Sequence, residues 1–294
     1  MTKQDTAEVF GRDKSIALGL IGRGIQKSRT PAMHEAEAQR QGLRCVYKLL
    51  DPDAMPGDPA LAELLRAAEL CGFAGCNVTF PYKIEVMDLL DELDDSASAV
   101  GAVNTVVFRD GRKIGYNTDY SGYAEAFRLG MEGAPRARVL QIGTGGAGVA
   151  VSHGLADNGI GTLVLVDADR ARAEDLAGLL GRTRPGLRTE VCDSVEAAAA
   201  EGLDGVVNCT PMGMAKLPGS AFPAELLAPE MWVSDIVYFP LETQLLADAR
   251  AKGCRVLPGS GMAVWQAVRA FGHFTGLAAD PAAMEATFRA LGAE

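Results

Sequence analysis

Residues 143–148 read Gly-Thr-Gly-Gly-Ala-Gly and fit the G-x-G-x-x-G pattern of dinucleotide-binding turns. The pattern alone is weak. Here an apolar run at 138–142 leads into it, and a second apolar run, 162–167, follows a helical interval. In that setting Gly143 permits the tight turn, Gly145 lets backbone approach a pyrophosphate, and Gly148 lets a helix pack closely on a strand. Thr144, Gly146 and Ala147 complete the turn, and the helix that opens there offers free N–H groups to phosphate oxygens. Asp167 closes the second run about 20 residues on, where a carboxylate accepts bonds from the ribose hydroxyls of NAD and repels the 2′-phosphate of NADP. Arg170 and Arg172 are the opposing signal, since either could turn toward such a phosphate; otherwise they are a solvated first helical turn.

Three further polar clusters follow predicted strands nearer the N-terminus. They are Lys27-Ser28-Arg29-Thr30-Pro31, Asn77-Val78-Thr79-Phe80-Pro81-Tyr82-Lys83, and Gly101–Thr105 with Asn117-Thr118-Asp119. Ligands of open α/β sheets bind at such strand ends. Hydroxyls, amides, two lysines and one aspartate could hold a polyol carboxylate and handle a proton.

The elements that must position these residues alternate. Strands are expected at 15–22, 44–50, 73–78 and 102–108. Between them helices are expected at 30–41, with Thr30 as N-cap and Pro31 in the first turn, at 61–70, near 83–90 and at 94–100. A mainly parallel sheet follows from that alternation. From Arg138 the order is strand, glycine turn, helix (146–158), strand (162–167), helix (170–181) and strand (187–192). Further strands are expected at 205–208, 233–237 and 255–257. This βαβ series reads as a Rossmann-type unit. Residues 262–291 are expected to be helical and to return to the first domain, while residues 1–13 are polar and expected to be frayed. The fold class is therefore α/β with two domains: 1–118, completed by 260–294, and a dinucleotide-binding domain over 119–259. A cleft between them, with hinges near 117–121 and 258–261, is the corresponding expectation.

Composition limits the partners. A length of 294 residues suffices for two domains, and 48% hydrophobic with 22% charged residues is a globular balance. The net charge of −10 disfavours nucleic acid and anionic membranes, so an anionic ligand must be met by local devices such as a helix N-terminus. The six cysteines stand mostly in apolar runs and read as buried reduced thiols. With three histidines and no ligand spacing, no metal site is expected. No basic-then-apolar leader and no spanning apolar run is evident, which makes the cytoplasm the expected location.

NVTFPYK, GAVNTV, NTD, GTGGAG, NCTPMGM and GSGMAVWQA stand in the order and spacing of the shikimate dehydrogenase family, and the chain resembles that family from about residue 16 to 290. The resemblance implies that Lys83 and Asp119 are a catalytic dyad, Lys83 exchanging the hydroxyl proton and Asp119 orienting it. It also implies that Ser28 and Thr30 bind the substrate carboxylate, although the family's second serine is here a threonine. Thr79, Asn104, Tyr238 and Gln266 are implied as further substrate contacts, with Tyr238 and Gly259 toward the nicotinamide. Arg172, Val237 and the Thr210-Pro211-Met212-Gly213 loop flank the cofactor on the same basis.

Two departures narrow the resemblance. The Asn-Arg-Thr usual after the second strand in NADP-dependent members is Asp167-Ala168-Asp169, and the usual His-Ser-x-Ser-Pro is Lys27-Ser28-Arg29-Thr30-Pro31. Both are similar to the bacterial quinate/shikimate dehydrogenase subgroup, which favours NAD. The expectation is reversible oxidation of quinate and shikimate to their 3-dehydro products with NAD, in quinate catabolism or aromatic amino acid biosynthesis, by a monomer or homodimer. The alternatives are an NADP-dependent biosynthetic shikimate dehydrogenase and a non-catalytic NAD-binding regulator of the same fold.

Overall fold

The computed structural model describes residues 15–291; the segment expected to be frayed, 1–13, lies outside the described residues. The chain divides into two compact units, one running to Thr118 and resuming at Ala267, the other Asp119–Gln266.

The first unit holds a six-stranded mixed sheet: β1 (Ser15–Ile21), β2 (Arg44–Leu50), β3 (Gly75–Val78), β4 (Glu92–Leu93), β5 (Thr105–Arg109) and β6 (Arg112–Tyr116). Their order is β2-β1-β3-β5-β6-β4. The β1/β2, β1/β3 and β4/β6 pairs are parallel, while β3/β5 and β5/β6 are antiparallel. Alternation along β1 sends Leu18 and Leu20 toward Tyr47, Val107, Ala270 and Phe274, and Ile21 toward Leu61, Leu65, Val78 and Val106. Helices α1 (Thr30–Arg40), α2 (Leu61–Leu70) and α3 (Asp95–Val100) follow β1, β2 and β4.

In the second unit six strands form an all-parallel sheet: β7 (Arg138–Ile142), β8 (Thr162–Val166), β9 (Arg188–Val191), β10 (Gly205–Asn208), β11 (Trp232–Asp235) and β12 (Arg255–Pro258). The order β12-β11-β10-β7-β8-β9 is the Rossmann order, and the direction in which successive strands are added reverses between β7 and β10. Helices α4 (Thr118–Gly130), α5 (Gly146–Asp157), α6 (Arg170–Thr183), α7 (Val195–Ala200), α8 (Gln244–Ala251) and α9 (Ser260–Thr275) connect or flank the strands. Side chains alternate into two cores. Val139, Leu163 and Val207 meet Phe127, Val151 and Leu155, whereas Leu140, Val164 and Val206 meet Leu245, Leu246 and Ala249. The boundary between the units falls within α4 and α9.

The last helix, α10 (Pro281–Ala290), packs on α1 within the first unit. Buried Glu37 of α1 accepts from Arg40 and Gln41 and takes the backbone N–H of Asp280, the N-cap of α10, at 3.0 Å. Arg29 donates to the Phe288 carbonyl at 3.2 Å and covers its ring at 4.7 Å. Residues from Ala267 on thus belong to the first unit, but the expected continuous helix is two, separated around Gly276 (φ +74°).

Several local expectations are corrected. Thr30 is the first residue of α1 and not its cap; Arg29 takes that position without a side-chain bond. The stretch near 83–90 is a turn followed by a short 3-10 segment, Glu85–Leu89. The β5/β6 hairpin was not foreseen; its two-residue turn, Asp110-Gly111, has φ +52° and +73°, the combination that a type I′ turn requires. Helices α4, α7 and α8 also go beyond the expected elements. Asp167 follows β8 rather than ending it. Of the cysteines, Cys76, Cys209 and Cys254 are buried, Cys45 and Cys192 partly so, and Cys71 is exposed; all six are free thiols.

Candidate active site

The glycine turn lies between β7 and α5, beside the point where the sheet order reverses. Gly143 has φ +94°, and a Cβ there would meet Thr210 Cγ2 at 2.8 Å, so this turn and the loop after β10 are in contact. A Cβ on Gly148 would strike the Gly143 carbonyl oxygen at 2.4 Å, which is the close packing expected of the last glycine. By contrast, a Cβ on Gly146 would meet nothing within 4 Å, and one on Gly145 only Arg172 Nη2 at 3.2 Å. Gly145 is the N-cap of α5, whose N-terminus receives no side-chain cap. Glycine clearance before an uncapped twelve-residue helix suits a pyrophosphate, and Gly145, Gly146 and Ala147 offer the backbone for it.

Asp167 sits against this turn. Thr144 donates to its Oδ2 from the backbone N–H at 2.7 Å and from Oγ1 at 2.8 Å, and Asp169 N–H donates to its Oδ1 at 3.0 Å. Burial alone would raise the Asp167 carboxyl. The bonds from Asp169 and Thr144, helped by the Arg172 charge, outweigh it and hold the carboxyl below its usual range. The two arginines separate: Arg170 is tied to Glu174 and Asp193, while Arg172 reaches over Gly145.

Buried side chains absent from the motif reading shape the surrounding loops. Gln141, on β7, donates from Nε2 to the carbonyls of Gly143 and Gly148, both at 3.0 Å, and accepts from Ser152 at 2.8 Å. At the end of β10, Asn208 accepts from Thr210 N–H (3.0 Å) and Oγ1 (2.7 Å) and donates to the Met212 carbonyl and to Asp235 Oδ1, each at 2.9 Å. Asp235, at the end of β11, also accepts from Val237 N–H at 3.0 Å and Thr243 Oγ1 at 2.7 Å. Burial keeps the Asp235 carboxyl above its usual range despite those bonds. Asn208 and Asp235 together hold the Thr210–Gly213 loop and Val237. In that loop Pro211 accepts from Met214 N–H at 3.1 Å, and Gly213 (φ +100°) donates to the Leu217 carbonyl at 2.9 Å. Tyr238 is about half exposed. Gly259, between β12 and α9, admits no side chain because a Cβ would lie 2.4 Å from the Ile236 carbonyl oxygen. Gln266 lies on α9 against Gly122 and donates to the Ala263 carbonyl at 3.0 Å. The sequence signal for the three hidden residues was a polar residue closing or interrupting an apolar strand: Gln141, Asn208 and Asp235.

In the first unit the polar clusters join through backbone. Val78 N–H bonds to the Asn104 carbonyl, and Val103 N–H to the Lys83 carbonyl, each at 2.8 Å. Thr79 donates to Ile21 at 2.9 Å, and the Phe80-Pro81 peptide is cis. Gly22 is required beneath this turn, since a Cβ would lie 2.4 Å from Thr79 Cγ2. Lys83 is half-buried. A buried chain supports Asn104: Tyr47 donates to Asn77 (2.7 Å), and Asn77 donates to Thr105 (2.9 Å). Asn104 Oδ1 accepts from Thr118 N–H at 2.7 Å and from the Thr105 and Thr118 hydroxyls, each at 3.1 Å. All these bonds use its oxygen, which turns its Nδ2 toward other acceptors.

Ser28 and Thr30 meet at the N-terminus of α1, where Ser28 Oγ accepts the Thr30 N–H at 3.3 Å. The loop ahead of them hangs on buried Asp51, which accepts from Gly24, Ile25, Gln26 and Asp53. Burial would raise the Asp51 carboxyl, but these four bonds together lower it. Asp119 is the second residue of α4 and half-buried.

Residues 20–106 match the family model described as the shikimate dehydrogenase substrate binding domain. A quinate/shikimate dehydrogenase (NAD(+)) of Corynebacterium efficiens is 48% identical, over 94% of this chain and 99% of the relative. The chain belongs to the shikimate dehydrogenase family. Within that family a shikimate dehydrogenase (NADP(+)) of Streptomyces avermitilis is 49% identical over 90% of this chain and 92% of its own length. The solved structure of a quinate dehydrogenase from Corynebacterium glutamicum in complex with NAD superposes with a TM-score of 0.89 at 44% identity, covering 94% of this chain and 99% of the other. The shikimate dehydrogenase family thus accounts for the whole described fold, both sheets included.

Proposed function

We propose that this chain is an NAD-dependent quinate/shikimate dehydrogenase, an oxidoreductase acting on a ring CH–OH group. The observation that carries the reading beyond the family is Asp167, an ionised carboxylate bonded to the glycine turn where a 2′-phosphate would otherwise gain from a neutral or basic residue. The names of the Corynebacterium relatives support the same substrates and cofactor.

The first unit, with the C-terminal helices, is the substrate domain in this reading, and the second the dinucleotide domain. Ser28 and Thr30 anchor the substrate carboxylate, and the adjoining N-terminus of α1 favours its negative charge. Asn104, its oxygen committed, donates from Nδ2 to a ring hydroxyl, and Thr79 and Gln266 take others. NAD, when bound, supplies the hydride acceptor. As the carbinol carbon gives up its hydrogen, the hydroxyl proton passes to Lys83 Nζ, and in the reverse direction Lys83 returns it. Asp119 orients that exchange, and Tyr238 lies toward the nicotinamide. Gly143, Gly145, Gly146 and Ala147 cradle the pyrophosphate, and Thr210–Gly213, Val237 and Gly259 border the cofactor. The enzyme acts on small molecules in the cytoplasm, as a monomer or homodimer; its acidic charge supports neither nucleic acid nor membrane as a partner.

The test is kcat/KM measured for quinate and shikimate, each with NAD and with NADP. Turnover of both acids with preference for NAD is expected. A preference for NADP would instead favour the biosynthetic shikimate dehydrogenase, a reading supported by Arg172 over Gly145. Cofactor binding without turnover of either acid would identify a regulator.

A further inference from the structure

At the start of α4 the two neighbours of Asp119 are held by different partners. Thr118 is bonded to Asn104. Tyr120 donates its hydroxyl to Asp157 of α5 and accepts from Arg184 Nη2 at 2.6 Å. Asp119 lies between them. Arg184, just past α6, commits the rest of its guanidinium to α5: Nη1 donates to Asp157 Oδ1 at 2.7 Å, and Nε to His153 Nδ1 at 2.9 Å. The bond to Nδ1 makes that nitrogen the unprotonated one in neutral His153. The Arg184 guanidinium lies 5.5 Å from the Tyr120 ring centroid, and the Tyr120 and His153 rings are 5.7 Å apart. Burial, reinforced by the Asp157 carboxylate and opposed by Arg184, holds the Tyr120 phenol above its usual range, so it remains a donor. The planar guanidinium presents its donors in a rigid fork, whereas a lysine ammonium offers three on a rotatable, tetrahedral head.

We infer that Arg184, acting through Tyr120, is a positioning residue for the carboxylate of Asp119. The inference rests on the role proposed above for Asp119. No group of the clamp is assigned a contact with substrate or cofactor. Its effect is to fix the first turn of α4, one peptide away from that carboxylate. Misplacing a reacting-centre group by about 1 Å costs up to roughly 100-fold in rate, so the clamp should be visible in kcat while leaving cofactor affinity alone.

The experiment is a double-mutant cycle on the full chain, with quinate, NAD and melting temperature as a fold control. Tyr120→Phe and Arg184→Lys are each expected to lower kcat about tenfold, with KM for NAD changed less than about twofold. In an Asp119→Asn background the same changes should lower kcat by less than about twofold, because the group they position is already impaired. Equal losses in both backgrounds, or an unchanged kcat in Tyr120→Phe and Arg184→Lys proteins that melt normally, would overturn the clamp while leaving Asp119 in its role. An Asp119→Asn enzyme with full kcat would overturn the role of Asp119 and the clamp with it.

Discussion

Thr144 gives Asp167 two hydrogen bonds on a single carboxylate oxygen, one from its backbone N–H at 2.7 Å and one from its hydroxyl at 2.8 Å. In the proposed function this ties the carboxylate assigned to the cofactor's ribose to the turn assigned to its pyrophosphate, so that cofactor choice and turn conformation would be coupled.

Replacing that carboxylate removes the repulsion of a 2′-phosphate. For Asp167→Ser the ratio of kcat/KM with NADP to that with NAD should rise about 10- to 100-fold, the scale of relieving one like-charge contact. Steady-state kinetics with both cofactors measures it. Because Thr144 loses its acceptor, the NAD side of the ratio should fall as well.

Lys83 follows a cis Phe80-Pro81 turn seated on Gly22, and its carbonyl accepts the N–H of Val103, just ahead of β5. Removing its amine should leave the fold intact. Lys83→Ala is expected to lose at least ~100-fold in kcat, the usual scale for general acid–base catalysis, with an unchanged melting temperature. An unimpaired kcat would take Lys83 out of the mechanism.

Gln141 keeps two carbonyls of the glycine turn directed inward. Gln141→Leu strands the buried Gly143 carbonyl oxygen, while that of Gly148 keeps Ser152 Oγ at 2.9 Å. A loss of about 2 kcal/mol in unfolding free energy is expected, and about a tenfold weaker NADH affinity as the turn relaxes. Denaturant unfolding and NADH fluorescence titration report the two effects separately.

His34 carries a pH dependence of stability. It is fully buried among Tyr47, Phe271 and Phe274, and neither ring nitrogen finds a partner among the described residues. Burial lowers its pKa from 6.5 to about 3. The folded chain therefore keeps His34 neutral where the unfolded chain protonates it. Its contribution is whole above pH 6.5 and declines as pH falls toward about 3, by up to ~1.4 kcal/mol per unit. His34→Phe should flatten the stability profile over that range; an identical slope in the variant would remove His34 as its source.

Some of this was legible locally. The Gly143–Gly148 turn and Asp167 could be placed because adjacent residues encode them: apolar strand, glycine turn, helix start, second strand. The β5/β6 hairpin had an equally local signal in Asp110-Gly111, overlooked because an alternating βα reading leaves no place for an antiparallel pair. Thr30 was misplaced by one residue because the Ser28 hydroxyl, not its own, takes the first free N–H of α1.

The sequence by itself determined the α/β class, the dinucleotide turn and the polar inventory, since each depends on side-chain periodicity or on conformations a few adjacent residues control. The tertiary structure alone decided which distant side chains complete one another: Asn208 with Asp235 and Thr243, Asp51 with the loop at Gly24–Gln26, Arg184 with Tyr120 and Asp157. A buried polar group must find its partner wherever the chain delivers one, and a partner 27 or 64 residues away leaves no periodicity to read.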